Sequence, residues 1–79
     1  MMKTLGEYKC EDFKRDDAVL YVPTHAEGDL KHKDVERGVV SSTNGKFVFV
    51  KYYPQLERLG WHGTTSQATD PADLVKDEV

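Results

Sequence analysis

The dipeptide Asn44-Gly45 is the feature of this sequence that most constrains its fold. It separates two runs rich in β-branched and aromatic residues, at positions 38–43 and 46–52. Asn-Gly is a preferred two-residue loop of β-hairpins, because both central residues of a type I′ turn need a positive φ. The sequence therefore predicts an antiparallel hairpin with this dipeptide at its turn.

A two-residue loop also sets the register of the hairpin. The predicted cross-strand pairs are Val39 with Val50, Ser41 with Val48, Val40 with Phe49, and Ser42 with Phe47. Because both faces of this hairpin carry apolar residues, we expect a small curled barrel that encloses one face and covers part of the other with loops. We predict that Val48, Val50 and Tyr52 point inward and that Phe47 and Phe49 are partly exposed. A bulge near the turn would invert this assignment for one strand.

Upstream of the hairpin, the sequence predicts one strand and one long loop. The run 18–22 is rich in β-forming residues and ends at Pro23, which indicates the first strand. Residues 23–37 are polar and are interpreted as a single long loop, a kind of segment that often carries function in a small domain.

The N-terminal residues form a separate segment in this interpretation. Thr4 and Glu7 have the spacing of a capping box, which predicts a short helical turn docked on the domain by Tyr8 and Phe13. The alternative is a partly ordered tail. The predicted organisation is an N-terminal extension at 1–13, a folded domain at 14–76 and a C-terminal tail at 77–79.

Downstream of the hairpin the signals are weaker. We predict a connection of undetermined type, a turn region around the single Trp, and a weak strand, at 55–59, 60–63 and 64–68 respectively. Asp70 can cap a short 3₁₀ turn that begins at Pro71. Leu74 and Val75 then close the core, and residues 76–79 fray.

Length and composition restrict the classes of function. Seventy-nine residues allow one domain with a small core. The net charge of -3 disfavours non-specific nucleic-acid binding, which depends on cations that neutralise phosphates. The lone Cys10 indicates a reducing compartment, so we expect a cytoplasmic protein. The chain shows neither a membrane-spanning run nor a signal-peptide h-region, and Met2 is an alternative start to Met1.

The order of a strand, a long loop, a hairpin, a short strand and a 3₁₀ turn before a last short strand resembles that of SH3-like barrels. More narrowly, the segments 25–29, 36–40, 47–50 and 65–68 resemble small proteins of tailed phages and prophages that have no established function. This resemblance implies an all-β, five-stranded SH3-like barrel encoded by a phage or prophage. It implies no mechanism, because such folds host many functions.

The long loop contains one cluster of metal-ligating residue types. Its members are His25, Asp29, His32 and Asp34, all within ten residues. Imidazole and carboxylate groups can share a Zn²⁺ ion, although this spacing matches no standard zinc motif. The alternative is structural: Asp29 caps a turn after Gly28, and a histidine bonds to the loop backbone. The sequence favours the structural role and predicts no cofactor, and a small metal-binding protein is an alternative function.

No catalytic motif accompanies the plausible nucleophiles. Cys10 with His62, or Ser66 with His25, would need a recognisable nucleophile context, and neither pair has one. The chain also lacks a glycine-rich phosphate loop. The sequence therefore predicts a non-enzymatic protein.

The chain has more aromatic residues than the interior of a small barrel needs. This indicates a binding surface, because Trp, Tyr and Arg dominate the energetics of protein interfaces. The predicted contacts are Phe47, Phe49, Trp61, Arg37 and Arg58, together with His25, Asp29 and His32 of the long loop. We expect a phage or prophage accessory protein that binds a host or phage protein, with no preference between monomer and oligomer. The alternative is a nucleic-acid-binding barrel that stacks bases on aromatic residues beside Lys46, Lys51 and Tyr53.

Overall fold

A computed structural model describes residues 3–77, which form one antiparallel sheet and one α-helix. The elements are β1 (Ala18–Tyr21), β2 (Glu36–Thr43), β3 (Val48–Tyr52), α1 (Gln55–Gly63), β4 (Gln67–Thr69) and β5 (Leu74–Lys76). The strand order is β4-β3-β2-β1-β5. Within residues 3–77 no ladder joins β4 to β5, so the sheet is not closed. The prediction of five strands is confirmed, and that of an all-β chain is confirmed in part, because the chain is mostly sheet but also contains α1.

The predicted hairpin forms, but its turn lies one residue later than expected. The backbone N–H of Asn44 donates to the Phe47 carbonyl at 3.2 Å, so Gly45 and Lys46 are the two loop residues. Of these, only Gly45 has a positive φ, 87°. Glycine at the first central position is typical of type II′ turns, so the type I′ prediction is wrong. The Asn44 side chain caps the turn by accepting from the backbone N–H groups of Lys46 and Phe47, at 2.9 and 2.7 Å.

A bulge in β2 changes the register of the hairpin. The observed pairs are Val39 with Lys51, Val40 with Val50, Ser42 with Phe49 and Thr43 with Val48, and the register shifts between Val40 and Ser42. All four predicted pairs are wrong, because the turn lies one residue later than predicted and the bulge then shifts the register again. The extra residue is Ser41, whose hydroxyl donates to the Phe49 carbonyl at 3.0 Å and lies 2.8 Å from the hydroxyl of Ser66. These two bonds hold the bulge in place.

The bulge also decides which side chains face the core. Val40 was predicted on the outer face with Phe49, but it is fully buried. The inward predictions are confirmed, since Val48 and Val50 are fully buried and Tyr52 is nearly so. Phe47 and Phe49 are half-buried, as the sequence predicts.

The N-terminal segment contributes to the same core. Tyr8 and Phe13 are buried, with ring centroids 5.3 Å apart, so their predicted docking is confirmed. A turn precedes them, in which the Glu7 carboxylate accepts from the backbone N–H and hydroxyl of Thr4 at 2.7 and 2.6 Å. Cys10 is also buried in this cluster, which joins β-sheet side chains to the N-terminal segment.

The C-terminal elements follow the sequence closely. Asp70 accepts from the backbone N–H of Ala72 at 2.9 Å and caps a 3₁₀ turn, Pro71–Asp73, as predicted. Leu74 and Val75 are buried in β5, which pairs with β1. Lys76 belongs to that strand, so the prediction of fraying is wrong at this position. Residues 78 and 79 of the predicted tail lie outside the described residues.

Helix α1 is the element that the sequence did not predict. It covers the segment interpreted as a connection and a turn region, and it packs against β3. Gly60 interrupts it with φ 73° and ψ 179°, and the Thr64 hydroxyl donates to the Gly60 carbonyl at 2.7 Å. Within residues 3–77, no helix has the length and apolar character needed to cross a membrane.

Tyr52 makes the stability of the fold sensitive to alkaline pH. Burial raises the pKa of Tyr52 to about 12 from an ordinary value of 10.0, and its hydroxyl bonds to that of Thr69 at 2.8 Å. Between pH 10 and 12 the unfolded chain loses a proton that the folded chain retains, so stability falls as pH rises. We expect a loss on the order of 1 kcal/mol per pH unit in this window.

Urea unfolding at a series of pH values checks this expectation, with Tyr52→Phe as the control. That variant lacks the phenol, so its stability should fall less steeply with pH. Equal slopes for the two proteins would show that Tyr52 is not the group responsible.

Candidate functional site

The face of the sheet opposite the core carries cations and aromatic rings. Val40, Val48 and Val50 point into the core. Since side chains alternate along a strand, residues 49, 51 and 53 point to the other face. We define the cationic–aromatic surface by six residues: Arg15, Arg37, Phe49, Lys51, Tyr53 and Trp61.

Two of the three cation–aromatic contacts of this surface converge on Trp61. It lies half-buried after the Gly60 interruption of α1. Nζ of Lys51 lies 4.3 Å from the centroid of the indole and donates to the backbone carbonyl of Trp61. The guanidinium carbon of Arg15 lies 5.8 Å from the same ring. Two cations thus lie within the distance range of cation–π attraction to one side chain.

A second cation–aromatic pair, Arg37 with Tyr53, lies one residue beyond the last pair of the β2–β3 ladder, which is Gly38 with Tyr52. The guanidinium carbon of Arg37 lies 6.0 Å from the Tyr53 ring, and the backbone N–H of Tyr53 donates to the Arg37 carbonyl at 2.9 Å. Both side chains are exposed. Nε of Arg37 also lies 3.3 Å from Oδ2 of Asp77, so this guanidinium is already ion-paired.

Arg15 and Lys51, the cations beside Trp61, differ from Arg37 in their ion pairing. Across residues 3–77, neither Arg15 nor Lys51 forms an ion pair with a carboxylate. The chain has a net charge of -3, but here it presents two positive groups that have no carboxylate partner among residues 3–77, beside a large aromatic ring. This arrangement can accept anionic groups while the ring packs against an apolar one.

Phe47 and Arg58 are the other two predicted aromatic and arginine contacts, and both lie outside the set that defines this surface. Phe47 stands beside the hairpin turn, with Nζ of Lys46 5.4 Å from its ring centroid. Arg58 is exposed on α1, three residues before Trp61. The sequence does not predict Arg15 as a site residue. Its proximity to Trp61 arises only in the folded chain, and no local pattern marks it.

The predicted loop residues lie in a different place, between β1 and β2. Nε2 of His25 lies 2.7 Å from Oδ2 of Asp34, and Nδ1 of His32 lies 3.9 Å from the same oxygen. The two imidazole centroids are 5.4 Å apart. The structure therefore brings together three of the four clustered residues, although Asp34 was not selected as a contact.

The structural roles proposed for this loop are also present. Asp29 accepts from the backbone N–H of Lys31 at 2.9 Å, and Nδ1 of His32 accepts from that of Asp34 at 3.0 Å. The loop is more ordered than predicted, because a 3₁₀ turn occupies Thr24–Ala26 and β2 begins at Glu36. The predicted loop boundary at residue 37 is therefore wrong by two residues.

Comparison of the chain with protein-family models, with curated proteins and with solved structures found no match. The features of the chain that bear on its function are therefore the cationic–aromatic surface and the loop cluster.

Proposed function

We propose that this chain is a non-enzymatic accessory protein of a phage or prophage, which binds a host or phage protein through the cationic–aromatic surface. The observation that carries the proposal is the position of Trp61, half-buried and contacted by Arg15 and Lys51. Trp and Arg are enriched among the interface residues that contribute most binding energy. The assignment to a phage rests on the sequence resemblance alone.

The surface favours a partner segment that combines acidic and apolar residues. Carboxylates of the partner would pair with Arg15 and Lys51, which have no carboxylate of their own within residues 3–77. An apolar side chain of the same segment would pack against Trp61 and the half-buried ring of Phe49. Such charge complementarity mainly increases association rate and specificity, while burial of the aromatic rings contributes affinity.

We also propose that the fold is that of an SH3-like barrel that is open between β4 and β5. Three features support this: the strand order β4-β3-β2-β1-β5, the long loop between β1 and β2, and the 3₁₀ turn Pro71–Asp73 between β4 and β5. They agree with the element order that produced the resemblance in the sequence.

Nucleic-acid binding is the second candidate function. Cations beside aromatic rings, as at Trp61 and Tyr53, are also the components of surfaces that stack single-stranded bases. The net charge of -3 makes this candidate weaker than a protein partner. Its distinguishing property is an affinity that falls steeply as the salt concentration rises.

Affinity capture from host lysate tests the proposal, with the wild-type chain, Trp61→Ala and Leu30→Ala as baits. Leu30 is an exposed apolar residue outside the cationic–aromatic surface, so its variant controls for non-specific hydrophobic adsorption. We expect a protein that wild type and Leu30→Ala both retain, that Trp61→Ala loses, and that survives nuclease treatment. Equal recovery on Trp61→Ala would contradict the proposal, and recovery abolished by nuclease would favour the second candidate.

A further inference from the structure

We propose that the loop between β1 and β2 binds a divalent metal ion of the Zn²⁺ class, with Zn²⁺ as the ion to be tested, through His25, His32 and Asp34. This site is separate from the cationic–aromatic surface and does not depend on the function proposed for it.

The three side chains already lie at nearly the separation that one ion requires. Each offers one ligand atom, and these atoms lie within 4.8 Å of one another. Tetrahedral coordination with bonds of about 2.0–2.2 Å places neighbouring ligand atoms roughly 3.3–3.6 Å apart. The contact between His25 and Asp34 is shorter than this, at 2.7 Å, and that between His32 and Asp34 is longer, at 3.9 Å. Small rotations of the exposed side chains of His25 and Asp34 suffice to place them with the half-buried His32 around one ion.

The loop backbone holds the three residues in position before an ion arrives. Consecutive backbone hydrogen bonds of 3.0–3.1 Å link Asp29 to Ala26, His32 to Asp29 and Val35 to His32. Ala26 is buried, and Val35 packs against the core at the other end of the loop. Because the backbone is already ordered, ligation costs little further conformational entropy.

Binding exchanges existing contacts for metal ligation. The bond between His25 and the Asp34 carboxylate is replaced, and ligation through Nδ1 of His32 displaces the backbone N–H of Asp34. His25 and Asp34 are exposed, which gives an ion access and leaves at least one coordination position for water.

The donor set selects the class of ion. Two imidazoles and one carboxylate suit Zn²⁺, Cu²⁺ and Ni²⁺, whereas Mg²⁺ and Ca²⁺ prefer oxygen ligands. Zinc sites with three protein ligands and one open position are well attested.

Isothermal titration calorimetry with ZnCl₂ tests the site in protein that carries no histidine tag. We expect saturable binding of one Zn²⁺ per chain and no saturable binding of Mg²⁺. His25→Gln, His32→Gln and Asp34→Asn should each weaken Zn²⁺ binding by more than roughly 100-fold. Loss of a residue that only supports a ligand costs about 10–100-fold, and these three residues are the ligands themselves. The matched control is His62→Gln, since His62 is the third histidine of the chain and lies exposed on α1. This variant should bind like wild type.

A parallel NMR titration identifies the ligands directly. The imidazole signals of His25 and His32 should shift until one equivalent of Zn²⁺ is reached, while those of His62 stay unchanged. The proposal is overturned if the wild type shows no saturable binding, if the three ligand variants bind like wild type, or if His62→Gln loses affinity to the same extent. Capture by the cationic–aromatic surface would be unaffected by any of these results.

Discussion

Replacing Leu74 with alanine is expected to destabilise the folded chain by about 2–5 kcal/mol, the range for truncation of a buried leucine. Leu74 is fully buried in β5, opposite Tyr21 of β1. Its truncation removes apolar contacts and leaves a cavity that the surrounding sheet can only partly fill. A chain of this length has a net stability of about 4–12 kcal/mol, so the loss is a large fraction of the total.

Leu30→Ala is the matched control, because Leu30 is the same residue type at 49% exposure. Its effect should stay within about 0.5 kcal/mol, as is usual for surface positions. Urea unfolding followed by circular dichroism measures both variants. Similar unfolding midpoints for the two variants would mean that Leu74 is not part of a packed core.

The second large effect is expected for Gly38→Val. A Cβ atom at Gly38 would lie 2.5 Å from Cγ1 of Val50, 2.8 Å from Cδ1 of Tyr52 and 2.9 Å from the carbonyl oxygen of Lys51. Two of these atoms belong to the core and the third to the β3 backbone, so relief requires that β2 and β3 separate. We expect a loss of about 3 kcal/mol or more, at the upper end of overpacking effects.

Ser42→Val controls for the introduction of valine into the same strand. Ser42 is exposed in β2, and valine has a high β propensity, so this variant should be close to wild type in stability. Thermal unfolding compares the two. If Gly38→Val melts at the temperature of Ser42→Val, the close approach of β2 and β3 at this position is wrong.

The hairpin shows how far local sequence determines this fold. Asn44-Gly45 predicts a turn correctly, because few other dipeptides combine a capping side chain with a residue free to adopt positive φ. The same dipeptide is compatible with two turns, one with Asn44 as the first loop residue and one with Asn44 just before the loop. Local sequence does not determine which of the two turns forms. The choice also depends on the bulge at Ser41, whose hydroxyl bonds to Ser66, 25 residues away.

Helix α1 is not predicted by the sequence, because its formation also depends on contacts distant in sequence. Two glycines and a preceding Pro54 indicate turns, and Gly60 does leave the helical conformation. Packing against β3 supplies the stabilisation that local propensity lacks, since most helix stability in proteins comes from tertiary contacts.

The candidate sites were predictable to different degrees. Phe49, Lys51 and Tyr53 share a face because strand alternation follows from the sequence once the inward residues are known. The approach of Arg15 to Trp61 depends on the position of α1, which the sequence did not reveal. In the long loop, His25, His32 and Asp34 were recognised as a cluster because they are close in sequence. Only the loop conformation separates Asp29 from them.

The most direct test of the central claim is the affinity of the captured partner protein for wild type, Trp61→Ala and Leu30→Ala, measured by isothermal titration calorimetry. Matching circular dichroism spectra would show that all three chains are folded. We expect Trp61→Ala to raise the Kd by about 30-fold or more, which corresponds to the roughly 2 kcal/mol of an interface hot spot. Leu30→Ala should bind like wild type. An unchanged Kd for Trp61→Ala would contradict binding through the cationic–aromatic surface.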